Sequence, residues 1–306
     1  MERILEDISQ WSIENRSEKI GEIYKERIGV PLNLRNPKRF TEKIQWLKLY
    51  ENNPVISRCI DKLRFKQYVR EKIGDGWTAP LIDVWHRPED VCLDNVPEPC
   101  VVKSNCSGNG KYIYIIKKKS EIDIPKMEQE IKKFCFDRRY LHTNSFFKAY
   151  YDVTPCVLVE DYLSEIETGI DEYKFFCFNG EPKYIYHSDN HFKNGENTEC
   201  TVSFYDMQWK FQNVQYGNHL ANPHAPKPKF LSDMTQISKK LAKDFSFVRV
   251  DFFESSTRFY IAELTFAVGA GLTPYSPESF DYELGALWKM DTDNMCSGGG
   301  ALYYKY

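Results

Sequence analysis

The sequence predicts an α+β fold made of lobes, rather than a doubly wound parallel sheet. Short apolar segments with the character of strands follow one another through tight turns such as Asn179-Gly180, which is typical of antiparallel hairpins. Helical segments are interspersed irregularly and do not alternate with single strands, as parallel α/β folds require. At 306 residues, the chain is long enough for one large domain or for two or three lobes with a real core.

Residues 1–75 are predicted to form a helical N-terminal segment. Residues 40–50, FTEKIQWLKLY, carry apolar side chains at helical spacing. The segment Asn52-Asn53-Pro54 then interrupts the helix, because asparagine and proline favour turns. A second helix is predicted over residues 60–74, and it ends at a glycine.

Residues 76–160 are predicted to form a small lobe. Strands are expected over residues 81–85, 100–103 and 112–116. The last two would form a hairpin around a glycine-rich loop. An amphipathic helix with a basic face is expected over residues 123–148, and another strand over residues 157–160.

Residues 161–306 are predicted to form a C-terminal lobe. Its first two strands, 172–178 and 182–187, are joined by the tight turn at Asn179-Gly180. Residues 190–230 are polar and rich in Asn, His and Pro, so a long excursion is expected there. A helix (233–244), two apolar strands (247–253 and 259–265) and a glycine-bearing segment (267–271) follow.

The composition predicts a cytoplasmic protein that binds neither nucleic acid nor membranes through its overall charge. The net charge is −3, so any anion site must be a local cluster of Lys and Arg. The N-terminal residues carry acids and lack the pattern of a signal peptide, and no segment approaches the roughly 18 apolar residues of a membrane span. The nine cysteines are scattered without zinc spacing, which indicates reduced, mostly buried thiols.

The glycine-rich loop in CVVKSNCSGNG, residues 100–110, follows its lysine, Lys103. A Walker A loop instead needs a lysine after the last glycine and then Ser or Thr, and here Lys111 is followed by Tyr112. The helix-opening G-x-G-x-x-G of dinucleotide sites is absent. The remaining design is a strand lysine aimed at phosphates beneath a glycine flap, whose N–H groups approach phosphate oxygens. The alternative is an ordinary surface hairpin with a snorkelling lysine.

An adenine hinge is one interpretation of residues 157–163, VLVEDYL. Backbone groups at the end of this apolar strand would bind the edge of the base, apolar side chains its faces, and Glu160 the ribose hydroxyls. Glu172 on the next strand would supply a second ribose contact. The alternative is a strand that ends in a solvated acid.

The strongest local pattern is a pair of acids on two apolar strands. Arg249 and Asp251 share one face of the first strand, and Glu263 and Thr265 share one face of the second. A three-residue turn would place Asp251 opposite Glu263 and Arg249 opposite Thr265. Paired carboxylates repel one another unless a positive group lies between them. That group is either a divalent ion such as Mg²⁺, shared with nucleotide phosphates, or Arg249 in a structural ion network.

Taken in order, these segments resemble the ATP-grasp enzymes. The helix start DKLRFK, residues 61–66, is similar to that of D-alanine–D-alanine ligases. The resemblance is closer still to the TupA-like ATP-grasp proteins of polysaccharide biosynthesis, in FTEKIQWLKLY, VVKSNCSGNG, EYKFFCFNGEPKYIY and AELTFAVGAG. It covers about residues 30–290 and implies the ATP-grasp fold, in which two α+β lobes clasp ATP behind a helical N-terminal segment.

The resemblance implies a role for each matching position. ATP would be bound by phosphate contacts (Lys62, Lys103, and Ser107, Gly108 and Gly110 of the flap), by adenine and ribose contacts (Glu160, Tyr162, Leu163 and Glu172), and by Lys174. Mg²⁺ would be bound by Asp251 and Glu263, with Thr265 at the place of the metal-binding asparagine that many ATP-grasp ligases have. Arg249 would stabilise an acyl-phosphate or its tetrahedral successor, and Lys103 would also act in catalysis.

Two positions depart from the wider pattern. Thr265 in place of asparagine leaves the number of metal ions open. Cys106 stands in the flap where relatives carry histidine, so either a catalytic thiol or a tolerated substitution fits the sequence.

The implied reaction is ATP-dependent joining of a carboxylate to an amine. A sugar uronate or acidic polymer is the expected carboxylate, and an amino acid or amino alcohol the expected amine, with polysaccharide-assembly enzymes as possible partners. The candidate substrate contacts are Arg39, Lys43, His187, Asp189 and His191, although each also fits a solvated helix face or a loop. The alternatives are a kinase that phosphorylates a hydroxyl and a non-catalytic nucleotide-binding partner of glycosyltransferases.

Overall fold

The computed structural model describes residues 11–108, 111–137, 146–163, 170–190, 192–193, 196–197 and 200–290. The α+β class is confirmed, because two antiparallel sheets dominate the fold. The four-stranded sheet has the order β1-β4-β2-β3 and comprises β1 (Leu81–Trp85), β2 (Cys100–Ser104), β3 (Ile113–Ile116) and β4 (Val157–Asp161). The other large sheet has six strands.

The strands of the second sheet all come from the C-terminal half of the chain. They are β5 (Ile170–Phe178), β6 (Glu181–Asn190), β9 (Val202–Asp206), β10 (Phe211–Gln212), β12 (Phe247–Glu254) and β13 (Phe259–Thr265). Their order in the sheet is β10-β9-β6-β5-β12-β13. Two short pairs complete the strands: β7 (Phe192–Lys193) with β8 (Glu196–Asn197), and β11 (Gln215–Tyr216) with β14 (Tyr275–Ser276). The division into lobes at residues 75 and 160 remains a prediction, and β4 extends one residue past the second boundary, to Asp161.

The described helices are α1 (Ile13–Ile28), α2 (Phe40–Tyr50), α3 (Pro54–Ile60), α4 (Lys62–Ile73), α5 (Ile124–Phe134), α6 (Leu231–Ala242) and α7 (Ser279–Leu287). Helix α2 has the predicted bounds. Helix α4 begins at the cap Asp61, whose carboxylate accepts from the Leu63 N–H at 2.9 Å, and it ends at Gly74 with φ +90°. Helix α3 was not predicted, since seven residues show too little periodicity. None of the described helices has the length and apolarity that a bilayer-spanning helix needs.

The four-stranded sheet is covered on one face and only partly covered on the other. Val102, Val159 and Ile131 of α5 are buried together on the covered face. Val101, Lys103 and Glu160 alternate with these residues, so they lie on the other face. Ile113 and Ile115 of β3 are 41% and 50% exposed there. An apolar surface next to a buried acid and a lysine is therefore available on this face.

The aromatic core of the six-stranded sheet anchors α2. Phe40 is fully buried, and its ring lies 4.8 Å from that of Phe247, 5.7 Å from Trp288 and 5.9 Å from Phe176. Because aromatic rings at these separations contribute both burial and specific ring contacts, the first residue of α2 fixes the helix against the sheet.

Two sequence predictions are wrong. The helix expected over residues 123–148 ends at Phe134, and residues 138–145 lie outside the described part of the chain. In the structure, Ile131 lies in the core of the four-stranded sheet and Phe147 in the core of the six-stranded sheet. A single straight helix could not reach both cores. The excursion expected over residues 190–230 contains β9, which pairs with β6 and which its polar, proline-rich flanks concealed.

Candidate active site

The two acid-bearing strands pair in the predicted register. Asp251 lies opposite Glu263, and Arg249 lies opposite Thr265. The turn has four residues rather than three, because Glu254 pairs with Phe259. Ala262 has no partner on β12 and forms a one-residue bulge. This bulge compensates for the fourth residue of the turn, so Asp251 and Glu263 still face each other.

Arg249 lies among both carboxylates and the threonine. Its guanidinium donates from Nε to Asp251 Oδ1 at 2.7 Å and from Nη2 to Asp251 Oδ2 at 2.6 Å. The same Nη2 is 3.1 Å from Thr265 Oγ1 and 3.6 Å from Glu263 Oε1. Burial lowers the pKa of Arg249, but the adjacent Asp251 carboxylate outweighs this effect, so its pKa lies above the ordinary value. The positive group expected between the acids is therefore an arginine in this structure.

The donor set also fits a magnesium ion. Mg²⁺ is usually held by one or two carboxylates together with waters and substrate phosphates. Asp251, Glu263 and Thr265 lie within one hydrogen-bonded network, in which Thr265 Oγ1 donates to Glu263 Oε1 at 2.9 Å. Asp251 would have to release Arg249 to become a ligand. In the described part of the chain no group of three or more His, Cys, Asp or Glu side chains forms a metal site.

Lys62 is held at the entrance of the flap. The cap residue Asp61 accepts from Asn105 Nδ2 at 3.0 Å, and the Lys62 N–H donates to the Asn105 carbonyl at 2.8 Å. Lys62 Nζ donates to the Ser107 carbonyl at 2.5 Å. Burial lowers the pKa of Lys62, although the Glu263 carboxylate opposes this effect. The start of α4 and the base of the glycine loop thus form one hydrogen-bonded unit.

A cavity of about 310 Å³ brings several predicted residues together. It is lined on one side by Lys62, Ser107, Gly108 and Lys111 and on another by Arg249, Glu263 and Thr265. The Glu263 side chain is 45% exposed. Burial raises its pKa, but the charges of Lys62 and Arg249 outweigh this and lower it below the ordinary value. The cavity therefore presents three cationic side chains and one ionised carboxylate.

Aromatic and apolar side chains complete the cavity wall: Phe65, Phe147, Tyr150, Tyr112 and Phe266. Cys106 also lines it and is 1% exposed. Gly110, predicted as part of the flap, lies outside the described residues.

Lys103 and Glu160 form an ion pair that the sequence did not predict. Glu160 is 2% exposed, with Oε2 2.6 Å from Lys103 Nζ and Oε1 2.7 Å from Lys66 Nζ. Burial raises the pKa of Glu160, but the two lysines outweigh this and lower it. Both carboxylate oxygens of Glu160 are thus engaged by lysines, which favours a role in orienting these lysines over the expected contact with ribose. Lys66, four residues after Lys62 on the same helix face, is the residue that sequence reasoning passed over.

The remaining nucleotide positions lie outside the cavity lining. Tyr162 and Leu163 are half-buried just after β4, with Lys117 Nζ 5.8 Å from the Tyr162 ring centre. Glu172 pairs with Lys174, which also lies 5.2 Å from the Tyr186 ring centre. Asp251 directly opposes Lys174 in the β12–β5 pairing, so Lys174 is a neighbour of the acid cluster.

Arg39 and Lys43, which were predicted as substrate contacts, connect α2 to α7 and are not among the residues that line the cavity. Arg39 is 8% exposed, pairs with Glu278 and lies 3.8 Å from Asp281. Lys43 Nζ donates to the carbonyls of Gly285 at 2.8 Å and Trp288 at 2.5 Å. Arg39 thus pairs with acids at the start of α7, and Lys43 donates to carbonyl groups at the end of this helix.

The predicted histidine contacts are not supported either. His187 is fully buried, lies 2.8 Å from Asp171 Oδ1 through Nε2, and packs beside Tyr173 and Trp209. Asp189 accepts from the N–H and Oγ1 of Thr201 at 2.7 and 2.5 Å. His191 lies outside the described residues. His187 and Asp189 thus stabilise the β5–β6–β9 region.

Comparison with known proteins gives one family and several remote structural likenesses. A family model described as TupA-like ATPgrasp matches residues 42–289. No curated protein matches the chain.

Three solved structures are remote likenesses of low identity. The D-alanine–D-alanine ligase from Bacillus anthracis is 16% identical with a TM-score of 0.44, over 76% of this chain and 68% of that one. The L-amino acid ligase from Bacillus licheniformis is 14% identical with a TM-score of 0.42, over 76% of this chain and 48% of that one. The phosphoribosylamine–glycine ligase from Thermotoga maritima is 13% identical with a TM-score of 0.43, over 69% and 48%. The chain thus covers about half of the length of the last two.

Proposed function

Because the chain belongs to the TupA-like ATP-grasp family, we propose that it is an ATP-dependent ligase that joins a carboxylate to an amine through an acyl-phosphate. The observation that carries this proposal is the cavity in which Lys62, the flap residues Ser107 and Gly108, Arg249 and Glu263 meet. Cations and an acid around one cavity suit the transfer of a phosphoryl group, which depends mainly on positioning and electrostatics.

ATP would lie between the partly covered face of the four-stranded sheet and the acid cluster. Val101, Ile113 and Ile115 offer an apolar surface for the base, with Tyr162 and Leu163 at its edge. Glu172 and Lys174 would take ribose and phosphate contacts. Lys103 and Lys62 would bind phosphates, beneath a flap of Ser107, Gly108 and Gly110. Glu160 would orient Lys103 and Lys66 instead of binding ribose.

Asp251, Glu263 and Thr265 are the residues that would hold Mg²⁺. When bound, the ion neutralises charge on the phosphates. Arg249 would contact the reacting group if its bidentate contact with Asp251 were released. A guanidinium is charged at neutral pH in any case, so Arg249 would carry its charge into that contact.

The chemistry begins with an attack of the acceptor carboxylate on the γ-phosphate. Lys62 and Lys103 stabilise the phosphate charge, and ADP leaves. An amine then attacks the acyl-phosphate carbon, Arg249 stabilises the oxyanion, and inorganic phosphate departs as the amide forms. Closure of the flap keeps water from hydrolysing the acyl-phosphate.

The acceptor fits a sugar uronate, and the amine an amino acid or amino alcohol. Three cationic groups attract a carboxylate into the cavity, and the aromatic wall that includes Phe147 and Tyr150 suits the apolar face of a sugar ring. The family resemblance supports a cytoplasmic role in building a capsule or another surface polysaccharide, alongside polysaccharide-assembly enzymes.

The test is phosphate release from ATP across a matrix of uronic acids and amines, with mass spectrometry of the products. We expect release that requires both a carboxylate and an amine and yields a product lighter by one water than their sum. A stable phosphorylated product formed without amine would instead indicate a kinase.

Two variants separate catalysis from mere nucleotide binding. Lys103→Ala and Glu263→Gln should each lower turnover by about 100-fold or more, whereas Lys183→Gln, at an exposed position of β6, should not. Unchanged turnover in the first two variants would refute the assigned site. A wild-type protein that binds ATP and turns nothing over would indicate a non-catalytic partner.

A further inference from the structure

The loop that follows β13 has an unusual backbone. Gly269, Ala270 and Gly271 have φ values of +53°, +55° and +66°. Alanine disfavours this left-handed region because of its Cβ, whereas glycine adopts it readily. Ala267, Gly269 and Ala270 line the cavity. The wall of the cavity on this side is therefore a backbone held in a disfavoured conformation.

Two buried polar residues of α2 hold this loop. Gln45 is fully buried, and its Nε2 donates to the carbonyls of Ala270 at 2.9 Å and Gly271 at 2.8 Å. Lys48 is 1% exposed, and its Nζ donates to Gln45 Oε1 at 2.8 Å and to the Ala270 carbonyl at 3.2 Å. Both residues thus donate hydrogen bonds to backbone carbonyl groups of Ala270 and Gly271, in the segment with positive φ.

The fit between α2 and the loop is close. A Cβ on Gly271 would lie 2.4 Å from Gln45 Nε2 and 2.8 Å from Ile44. A Cβ on Gly269 would lie 2.1 Å from the Tyr216 hydroxyl. The loop is therefore confined from two sides, and its conformation depends on the position of α2.

A buried lysine at this place is not explained by packing. Among the described residues, no carboxylate forms an ion pair with Lys48. A methionine would fill the same space without a charge to desolvate. A function other than stability would account for the lysine.

We propose that Lys48 and Gln45 are positioning residues, which set the backbone of the Ala267–Gly271 loop where it faces the acceptor substrate. The statement about the acceptor rests on the proposed function, whereas the statement about the loop does not. The side chains of this segment carry no charge, so its shape is what it contributes to the cavity.

The test compares Lys48→Met with Lys72→Met in the full-length protein. Lys72 pairs with Asp244 at 2.6 Å, lies on α4 and is not among the residues that line the cavity. Amide hydrogen exchange of residues 266–272 should rise about 10-fold or more in Lys48→Met and remain at the wild-type level in Lys72→Met. Gln45→Leu, which removes the two carbonyl contacts, is the second variant and should have the same effect.

A substitution in the loop makes the test specific. Because glycine adopts positive φ without a Cβ penalty, Ala270→Gly in the Lys48→Met background should bring the exchange back toward the wild-type rate. With D-glucuronate and glycine as probes, the KM for D-glucuronate should rise about 10-fold in Lys48→Met and the KM for ATP should stay within about twofold.

Loop exchange equal to wild type in both Lys48→Met and Gln45→Leu would overturn the proposal. An equal rise in both KM values would overturn its statement about the acceptor. If the wild-type protein turns over neither probe, the exchange comparison still decides whether Lys48 positions the loop, and the proposed function is judged by the wider matrix of substrates.

Discussion

The burial of Lys48 predicts an unusual dependence of stability on pH. Burial lowers the pKa of Lys48 from 10.5 to about 7 in the folded protein. Between these two values the unfolded chain binds more protons than the folded one, so stability rises with pH. At 1.36 kcal/mol per pKa unit, keeping Lys48 protonated in the folded state costs about 5 kcal/mol below pH 7.

The perturbation is Lys48→Met, which removes the titration and keeps the volume. From pH 7 to pH 9 the wild-type protein should gain about 2 kcal/mol of unfolding free energy relative to the variant. Urea denaturation at both pH values measures this difference in unfolding free energy. If the two proteins have the same m-value, the contributions of all other titrating groups cancel when the variant is subtracted from the wild type. Lys72→Met serves as the control and should follow the wild-type pH dependence.

One result would refute the reasoning. If the free-energy difference between wild type and Lys48→Met stayed constant within about 0.5 kcal/mol from pH 7 to pH 9, Lys48 would be charged throughout. Its hydrogen bonds to Gln45 and Ala270 would then stabilise the ammonium as fully as water does.

Three further predictions follow from contacts of single residues. Glu160→Gln leaves Lys103 and Lys66 without their shared anion and should raise the KM for ATP about 10-fold, and an unchanged KM in steady-state kinetics would argue against the orienting role of Glu160. Lys43→Met removes the contacts to the end of α7 and should lower stability by about 1–2 kcal/mol in thermal unfolding without changing the KM for any substrate; a raised acceptor KM would restore its predicted role as a substrate contact. Phe40→Ala should cost about 3–5 kcal/mol in denaturant unfolding, and a loss below about 1 kcal/mol would mean that the core of the large sheet does not depend on this ring.

The sequence predicted best where a pattern is local. Helix α2 shows its periodicity within eleven residues, and its bounds were correct. The facing of Asp251 and Glu263 was also correct, although it was derived from a turn one residue too short. The two errors cancelled, because the bulge at Ala262 shifts the register by the same single residue.

The sequence could not predict which charged groups meet in space. The sequence around a lysine on a helix looks the same whether its side chain contacts a substrate or the terminal carbonyls of another helix. Lys43 contacts the terminal carbonyls of α7. The engagement of Glu160 depends on α4, about a hundred residues earlier in the chain, so no local pattern could show it. Burial that arises from distant elements explains why the sequence predicted neither contact.

The bulge at Ala262 bears on how this strand pair tolerates insertions and deletions during evolution. If Ala262 were removed, Ile261 and Glu263 would be consecutive opposite Phe252 and Asp251, and the strands would pair regularly without moving either carboxylate. Homologous chains can therefore differ by one residue in the 255–262 segment and keep the same acids facing one another. Alignments that force this segment to constant length would misplace Glu263, so the pairing with Asp251 is the safer guide to the equivalent residue in a related chain.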